Sequence, residues 1–299
     1  IVKRAFCCFF ISGANMKVLV AASELKPFAS SGVLAETLNC FISSISGYAD
    51  IECVMPLYST IDENIYDIKP TGKGFQVPVA DKIENAEIWV GKHPDSGAKV
   101  WFVASRYFER DGLYGNITGD YPDNSERFVF FSRAVLELAN VISRPDIIHC
   151  NDWQTALIPL YMREVYQKNG QMKDVKTVLF IHDVRFQGRF WLYDLYILNL
   201  GWEVFSPEKL EFYNDINFLK GGIVYSDALF AVNVDYLTRI CSDSEGCGLD
   251  GILRKYSAKL FPVCESCRTF SCDDWKGEKL GKRMLELYTQ VTGTHTKAV

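Results

Sequence analysis

Thr177-Val178-Leu179-Phe180-Ile181-His182-Asp183 is an apolar run that breaks abruptly into a histidine and a carboxylate. Four consecutive apolar residues without polar alternation read as a strand buried on both faces, the habit of parallel sheets covered by helices. The glycine-containing loop Phe186-Gln187-Gly188-Arg189-Phe190 follows directly. Such a strand delivers its polar groups to the carboxyl edge of the sheet, where open α/β folds bind ligands. Downstream, Phe218 to Tyr225 reads as a short helix and Ala228 to Val232 as the next strand.

The same alternation extends upstream. Lys17 to Ala22 reads as a buried first strand, Leu34 to Ile45 as an apolar-periodic helix and Ile51 to Pro56 as a second parallel strand. Phe75–Val79, Glu87–Val90 and Lys99–Val103 are shorter runs separated by turn residues, the pattern of an inserted β-meander. Asp123-Asn124 opens a long helix, Ser125 to Val141, with Glu126 in its first turn. A strand from Pro145 to Cys150 and a helix from Asp152 to Gln167 complete the repeat. Strands alternating with helices predict a doubly wound, Rossmann-like parallel sheet over residues 16–260.

Beyond Leu253 the pattern weakens. Arg254 to Leu260 reads as polar helix, Cys264 to Asp274 shows no period, and Leu280 to Val291 fits a terminal helix. Residues 261–299 are therefore expected to form an irregular, poorly packed tail. Residues 1–15 combine Lys3-Arg4 with an apolar stretch from Ala5 to Ile11, ahead of Met16. They read as an extension upstream of a natural start, with a targeting remnant as the alternative.

Composition excludes several classes. With 48% hydrophobic and 14% aromatic residues there is ample material for a core. A net charge of −5 provides no footprint for nucleic acid, and no apolar run is long enough to span a membrane. Of ten cysteines, Cys53 and Cys150 lie in predicted strands and read as buried thiols. Cys264, Cys267 and Cys272 cluster, but a zinc site would draw its fourth ligand from His295, and no second Cys pair supports it. No metal and no cofactor are expected.

These segments, together with Leu210-Glu211-Phe212-Tyr213 and Phe218-Leu219-Lys220-Gly221-Gly222, resemble bacterial glycogen synthases and plant starch synthases. The resemblance runs from Met16 to about Leu260 and implies one lobe of a two-lobed glycosyltransferase, the acceptor side. It implies retaining transfer of glucose from ADP-glucose to the non-reducing end of an α-1,4-glucan. In the family a second lobe binds the nucleotide and carries an Arg, a Lys and a catalytic Glu. Roughly 45 residues follow Leu253, too few for a lobe of roughly 100.

Residue by residue, the resemblance casts His182 as facing the transferred glucose, where it shields developing oxocarbenium charge, and Asp152 as lying near the donor sugar. Asp152 within His149-Cys150-Asn151-Asp152-Trp153-Gln154-Thr155 also fits a helix cap. The donor set is Ser31, Gly32, Asp183 and Gly248, the last within Gly246-Cys247-Gly248-Leu249-Asp250-Gly251. Where the family carries Lys-Thr-Gly-Gly-Leu-Ala-Asp, this chain has Ser30-Ser31-Gly32-Val33-Leu34-Ala35-Glu36. The lysine opposite the diphosphate is thus replaced by Ser30, with Lys26 the nearest cation upstream. Tyr107, Asp123, Asn124 and Gln187 form the sugar or acceptor set, from segments that also serve to cap and brace a helix.

Two readings stay open from sequence. One is a glucosyltransferase that is truncated or completed by a separately encoded donor lobe. The other is a non-catalytic glucan-binding or regulatory protein derived from it. ADP-glucose and an α-1,4-glucan are the expected ligands. The expected location is the cytoplasm, or a plastid if residues 1–15 are a targeting remnant.

Overall fold

The computed structural model describes residues 16–264 and 278–293. In chain order its strands are β1 (Lys17–Ala21), β2 (Asp50–Pro56), β3 (Lys69–Val79), β4 (Lys82–Lys92), β5 (Lys99–Ala104), β6 (Gly115–Asn116) and β7 (Gly119–Asp120). Then come β8 (Ile147–Asn151), β9 (Lys176–Ile181), β10 (Arg189–Trp191), β11 (Glu211–Phe212), β12 (Asp215–Asn217), β13 (Ala228–Asn233) and β14 (Leu260–Cys264). Nine of them form one sheet, ordered β14-β13-β9-β8-β1-β2-β5-β4-β3. The seven from β14 to β5 are parallel, and β4 and β3 continue antiparallel at the edge.

The doubly wound architecture is therefore present. The meander is there too, but it is built onto the main sheet: β5 pairs parallel with β2, and β4 and β3 extend from it as a hairpin. Lys99–Ala104 is buried over four consecutive residues, as a strand inside a covered sheet must be. The edge strand β3 tolerates Pro70 and Pro78, which an interior strand would not.

Helix α1 (Val33–Ile45) follows β1 and buries Ala35, Leu38, Phe41, Ile42 and Ile45, spaced as one helical face. Helix α2 (Asn124–Leu138) buries nearly its whole circumference, and its chain continues through a wider turn to Ser143 before Arg144 ends it at φ 51°. The expected helix from Asp152 to Gln167 is broken up. Trp153–Thr155 forms a 3-10 turn, α3 (Leu157–Tyr161) is short, and Met162–Gln167 is wider. Helix α4 (Phe218–Tyr225) starts where read, with Asn217 Oδ1 accepting the Lys220 N–H as its cap. Helices α5 (Val234–Ile240) and α6 (Asp250–Lys255) follow.

The tail departs from expectation. The α-helix ends at Lys255, a 3-10 turn follows at Ser257–Lys259, and Leu260–Cys264 is strand β14, pairing parallel with β13 at the sheet edge. Pro262 is harmless there, because an edge strand need not pair both sides. Helix α7 (Glu278–Thr292) lies where a terminal helix was read, yet it is packed rather than loose. Met284, Leu287 and Tyr288 are buried, Gly281 lies hard against Tyr48 beyond α1, and the Tyr288 hydroxyl bonds His149 Nδ1 at 2.6 Å. Its spacing of i, i+3 and i+4 gives one apolar stripe, enough to dock a helix although the mean polarity is high. The remainder of the tail, with Cys267, Cys272 and His295, lies outside the described residues, as do residues 1–15.

Cys53 and Cys150 are buried free thiols. Cys264 is disulfide-bonded, as is Cys40, so it is not available as a zinc ligand. Among the described residues no group of three His, Cys, Asp or Glu could hold a metal ion, and no helix is long and apolar enough to cross a membrane.

Candidate functional site

Strand order reverses at β1, which has β2 on one side and β8 on the other. The carboxyl ends of β1, β8 and β9 meet around that switch point, where an open sheet leaves a crevice. A cavity of about 1090 Å³ opens there. Its wall includes Ser31 and Gly32 from the loop after β1, Asp152 after β8, and His182 and Asp183 after β9.

His182 is 8% exposed and stacks on Phe180 at 4.1 Å. Its tautomer follows from its neighbour. Asn151 Nδ2 donates to the Ala21 carbonyl at 3.0 Å, which turns Asn151 Oδ1 toward His182 Nε2 at 3.0 Å. An amide oxygen only accepts, so Nε2 carries the proton and Nδ1 is a bare acceptor. Burial pushes the ring's pKa down to about 3, so it is neutral at pH 7. Nδ1 is buried with no hydrogen-bond partner.

Asp152 is held in a backbone conformation, φ 52° and ψ −167°, that side-chain-bearing residues rarely adopt. Its Oδ1 accepts the His182 N–H at 2.8 Å, so the carboxylate latches the end of β8 to the end of β9. Burial pushes its pKa up to about 7, against those backbone donors and with help from the charges of Asp183 and Glu24. The folded pKa lies above the ordinary 3.8, so the folded state binds the proton more tightly. That stability is complete below about pH 4 and is lost as pH rises through 7. His182 and His149, both lowered to about 3, work oppositely: their stability is present above about 6.5 and lost as pH falls toward 3. Asp152→Asn keeps the oxygen that accepts the latch. Its stability relative to the parent is expected to grow between pH 4 and 7, by on the order of 3 kcal/mol, then plateau. Denaturant midpoints across that range measure it, and a difference independent of pH would contradict the assignment.

The loop after β1 is organised by Glu24, which sequence reasoning passed over. Its carboxylate accepts the Ser31 N–H at 2.5 Å, the Ser31 hydroxyl at 2.7 Å and the Tyr114 hydroxyl at 2.7 Å. A carboxylate placed just after the buried run of β1 was the available signal. Lys26 does not replace the missing lysine: its ammonium pairs with Glu36, and it is not part of the cavity wall.

The remaining expected residues divide. Asp183 lies at the cavity but is paired bidentately with Arg185. Burial would raise its carboxyl, and the Arg185 contacts outweigh that and hold it below the ordinary value. Asn124 and Gln187 line the cavity with their amides already spent. Asn124 Nδ2 donates to the Tyr114 carbonyl, and its Oδ1 accepts from Arg127. Gln187 Nε2 donates to the Val184 and Cys247 carbonyls, and its Oε1 accepts from Asn217. Gly248 lies beside the cavity, where Cys247 is the lining residue, and it packs against Phe212.

Tyr107 and Asp123, read as sugar contacts, do not line the cavity. Tyr107 is 3% exposed, packed on Phe130 with its hydroxyl donating to Glu126. Asp123 pairs with Arg110 at 2.6 Å. Both belong to the bracing of α2, the alternative their position allowed.

Three cavity residues have buried polar atoms without partners: His182 Nδ1, Gln154 Oε1 and Thr37 Oγ1. Five more such atoms, on Asn39, Trp89, Ser132, His149 and Tyr225, lie away from the cavity among the described residues, and the three at the cavity are placed where a ligand's polar groups could meet them. The first two can only accept and the third can do either, so together they call for hydroxyl donors. Among the described lining residues the cations are Arg185 and Arg189, tied to Asp183 and to Asp215 at 2.7 Å.

The family profile described as "Starch synthase catalytic domain" matches residues 17–255. The chain belongs to the starch and glycogen synthase family. Among relatives of this family, the glycogen synthase of Syntrophotalea carbinolica is 34% identical over 288 residues, 91% of this chain and 59% of that protein. That of Koribacter versatilis is 38% identical over 247 residues, 82% of this chain and 50% of that protein. The catalytic domain of starch synthase IV from Arabidopsis thaliana, solved with ADP and acarbose, superposes with a TM-score of 0.74 at 25% identity. It covers 84% of this chain and 51% of the starch synthase chain. The chain thus spans between 50% and 59% of the length of these synthases.

Proposed function

We propose that this chain is the acceptor-side lobe of a retaining glucosyltransferase, and that its cavity takes the sugar of an α-1,4-glucan. In a complete cleft the donor would be ADP-glucose. The observation that carries the reading is the trio of orphaned polar atoms, His182 Nδ1, Gln154 Oε1 and Thr37 Oγ1, around one cavity at the sheet's switch point. Sugar hydroxyls are the donors they lack.

In this reading His182, neutral because of its low pKa, acts as an acceptor rather than an acid. Asp152 has its pKa near 7 and faces the same space, able to hold a proton or a negative charge as cationic character develops at the sugar. Ser31 and Gly32 bound the donor side. The alternative of a non-catalytic glucan-binding protein draws on Ser30, which stands where the family has lysine, and on the pairing of both cavity arginines. A separately encoded donor lobe would reconcile the two.

Titration calorimetry with maltoheptaose tests the shared part. Weak saturable binding is expected, reduced about tenfold by His182→Ala, the equivalent of one buried hydrogen bond. No binding by the parent chain would refute the reading.

A further inference from the structure

Glu24 fixes the base of the loop after β1, and a histidine from another part of the chain holds its tip. Leu25 and Ala29 exchange backbone hydrogen bonds at 3.1 and 3.0 Å, which closes Lys26-Pro27-Phe28 into a narrow turn. His93 stands between β4 and β5, 67 positions from Lys26 and fully buried. Its ring Nε2 lies 2.8 Å from the Lys26 carbonyl oxygen. Phe28 completes the joint, edge-on to the rings of His93, Tyr66 and Phe102, and the Tyr66 hydroxyl donates to the Pro27 carbonyl at 3.3 Å.

Two contacts fix which nitrogen donates. A carbonyl only accepts, so Nε2 carries the proton. The Ser96 N–H donates to Nδ1 at 3.3 Å, so Nδ1 is bare. The neutral ring thus spends its N–H on the loop and its lone pair on its own turn. Burial lowers its pKa, against the Lys26 carbonyl and the charge of Asp95, which favours that neutral form. The turn is closed in its own right: the His93 N–H bonds the Ala98 carbonyl at 2.8 Å, and the Gly97 N–H bonds the His93 carbonyl at 2.9 Å. Residues on a loop serve a site only as well as the scaffold holds them. Glu24 precedes this clamped tip and Ser31 and Gly32 follow it, all three on the cavity wall, and α1 with Thr37 starts directly after. We propose that His93 is a positioning residue for the cavity: by holding the Lys26 carbonyl it sets where Ser31 and Gly32 stand and where α1 brings Thr37. The functional half of this rests on the cavity being the sugar site; the clamp itself does not.

The test compares the full chain with His93→Asn and His93→Gln. The shorter amide keeps an oxygen where Nδ1 accepts from Ser96 but stops short of Lys26, whereas the longer one carries an N–H as far as Nε2. Without sugar, amide exchange over residues 26–32 is expected to be roughly tenfold faster in His93→Asn, the equivalent of one buried hydrogen bond, and near the parent's in His93→Gln. Maltoheptaose affinity follows the same order, roughly threefold weaker in His93→Asn and restored in His93→Gln. Equal effects of the two substitutions would mean that ring packing, not the hydrogen bond, matters, and would overturn the proposal. So would faster exchange with affinity unchanged, or a lower melting temperature with exchange unchanged. If His93→Asn does not fold, Tyr66→Phe removes the neighbouring bond to Pro27: faster exchange over the same residues supports the clamp, and none overturns it. A parent chain that binds no maltoheptaose refutes the cavity reading and the functional half with it, while exchange still decides the clamp.

Discussion

Incubated with radiolabelled ADP-glucose and glycogen, the 299-residue chain is expected to incorporate no glucose, at least roughly three decades below a two-lobed synthase. Departure of a nucleoside diphosphate requires its charge to be neutralised as the sugar bond breaks. Preorganised cations in a water-poor site typically supply several kcal/mol of that barrier. Here Ser30 stands where the family has its loop lysine, and Lys26 is paired with Glu36. Arg185 and Arg189 are already matched to Asp183 and Asp215. The lining also holds Glu24, Asp120 and Asp152, which repel an anion unless protonated. Incorporation near the rate of a complete synthase would refute the inactive reading, and its abolition by His182→Ala would place the activity in this cavity.

The second large effect is on stability. Arg127 is fully buried, and its guanidinium donates to the Tyr107 carbonyl at 2.9 Å, Asn124 Oδ1 at 2.6 Å and the Leu113 carbonyl at 3.0 Å. Rings of Phe108, Tyr121 and Phe128 surround it. It pins the segment from Tyr107 to Leu113 onto α2, and through Asn124 it sets one wall of the cavity. Arg127→Met preserves length and apolar stem but leaves three buried acceptors without a donor, each worth about 1–3 kcal/mol. A loss of about 3 kcal/mol or more is expected, seen as a melting temperature lower by roughly 10 °C. A change of less than roughly 1 kcal/mol would mean that this segment is held by something else.

The parallel sheet was legible because β1, β9 and β13 are apolar on consecutive residues, which parallel strands between helices demand. The same rule places the loops after β1, β8 and β9 at one edge, and Ser31, Asp152 and His182 from those loops line one cavity. What the local text hid were long-range pairings. Glu24 reads as one loop carboxylate among many until Tyr114, 90 positions away, is brought to it. Tyr107 and Asp123 read as sugar contacts because aromatic and acidic residues suit both a sugar face and a helix brace. Only the position of Phe130 and Arg110 separates the two uses. Strand β14 was hidden in the same way. Val263 and Leu260 form too short a run to announce a strand, and β14 exists because β13 has an open edge to receive it.

Amide hydrogen exchange of the full chain with and without maltoheptaose tests the central claim most directly. If the cavity at the β1–β8 switch point holds the sugar, slowing will be confined to the segments that wall it. These are residues 31–37 at the start of α1, 114–124 ahead of α2, and 182–190 after β9. Slowing elsewhere, or none at saturating sugar, would contradict the account.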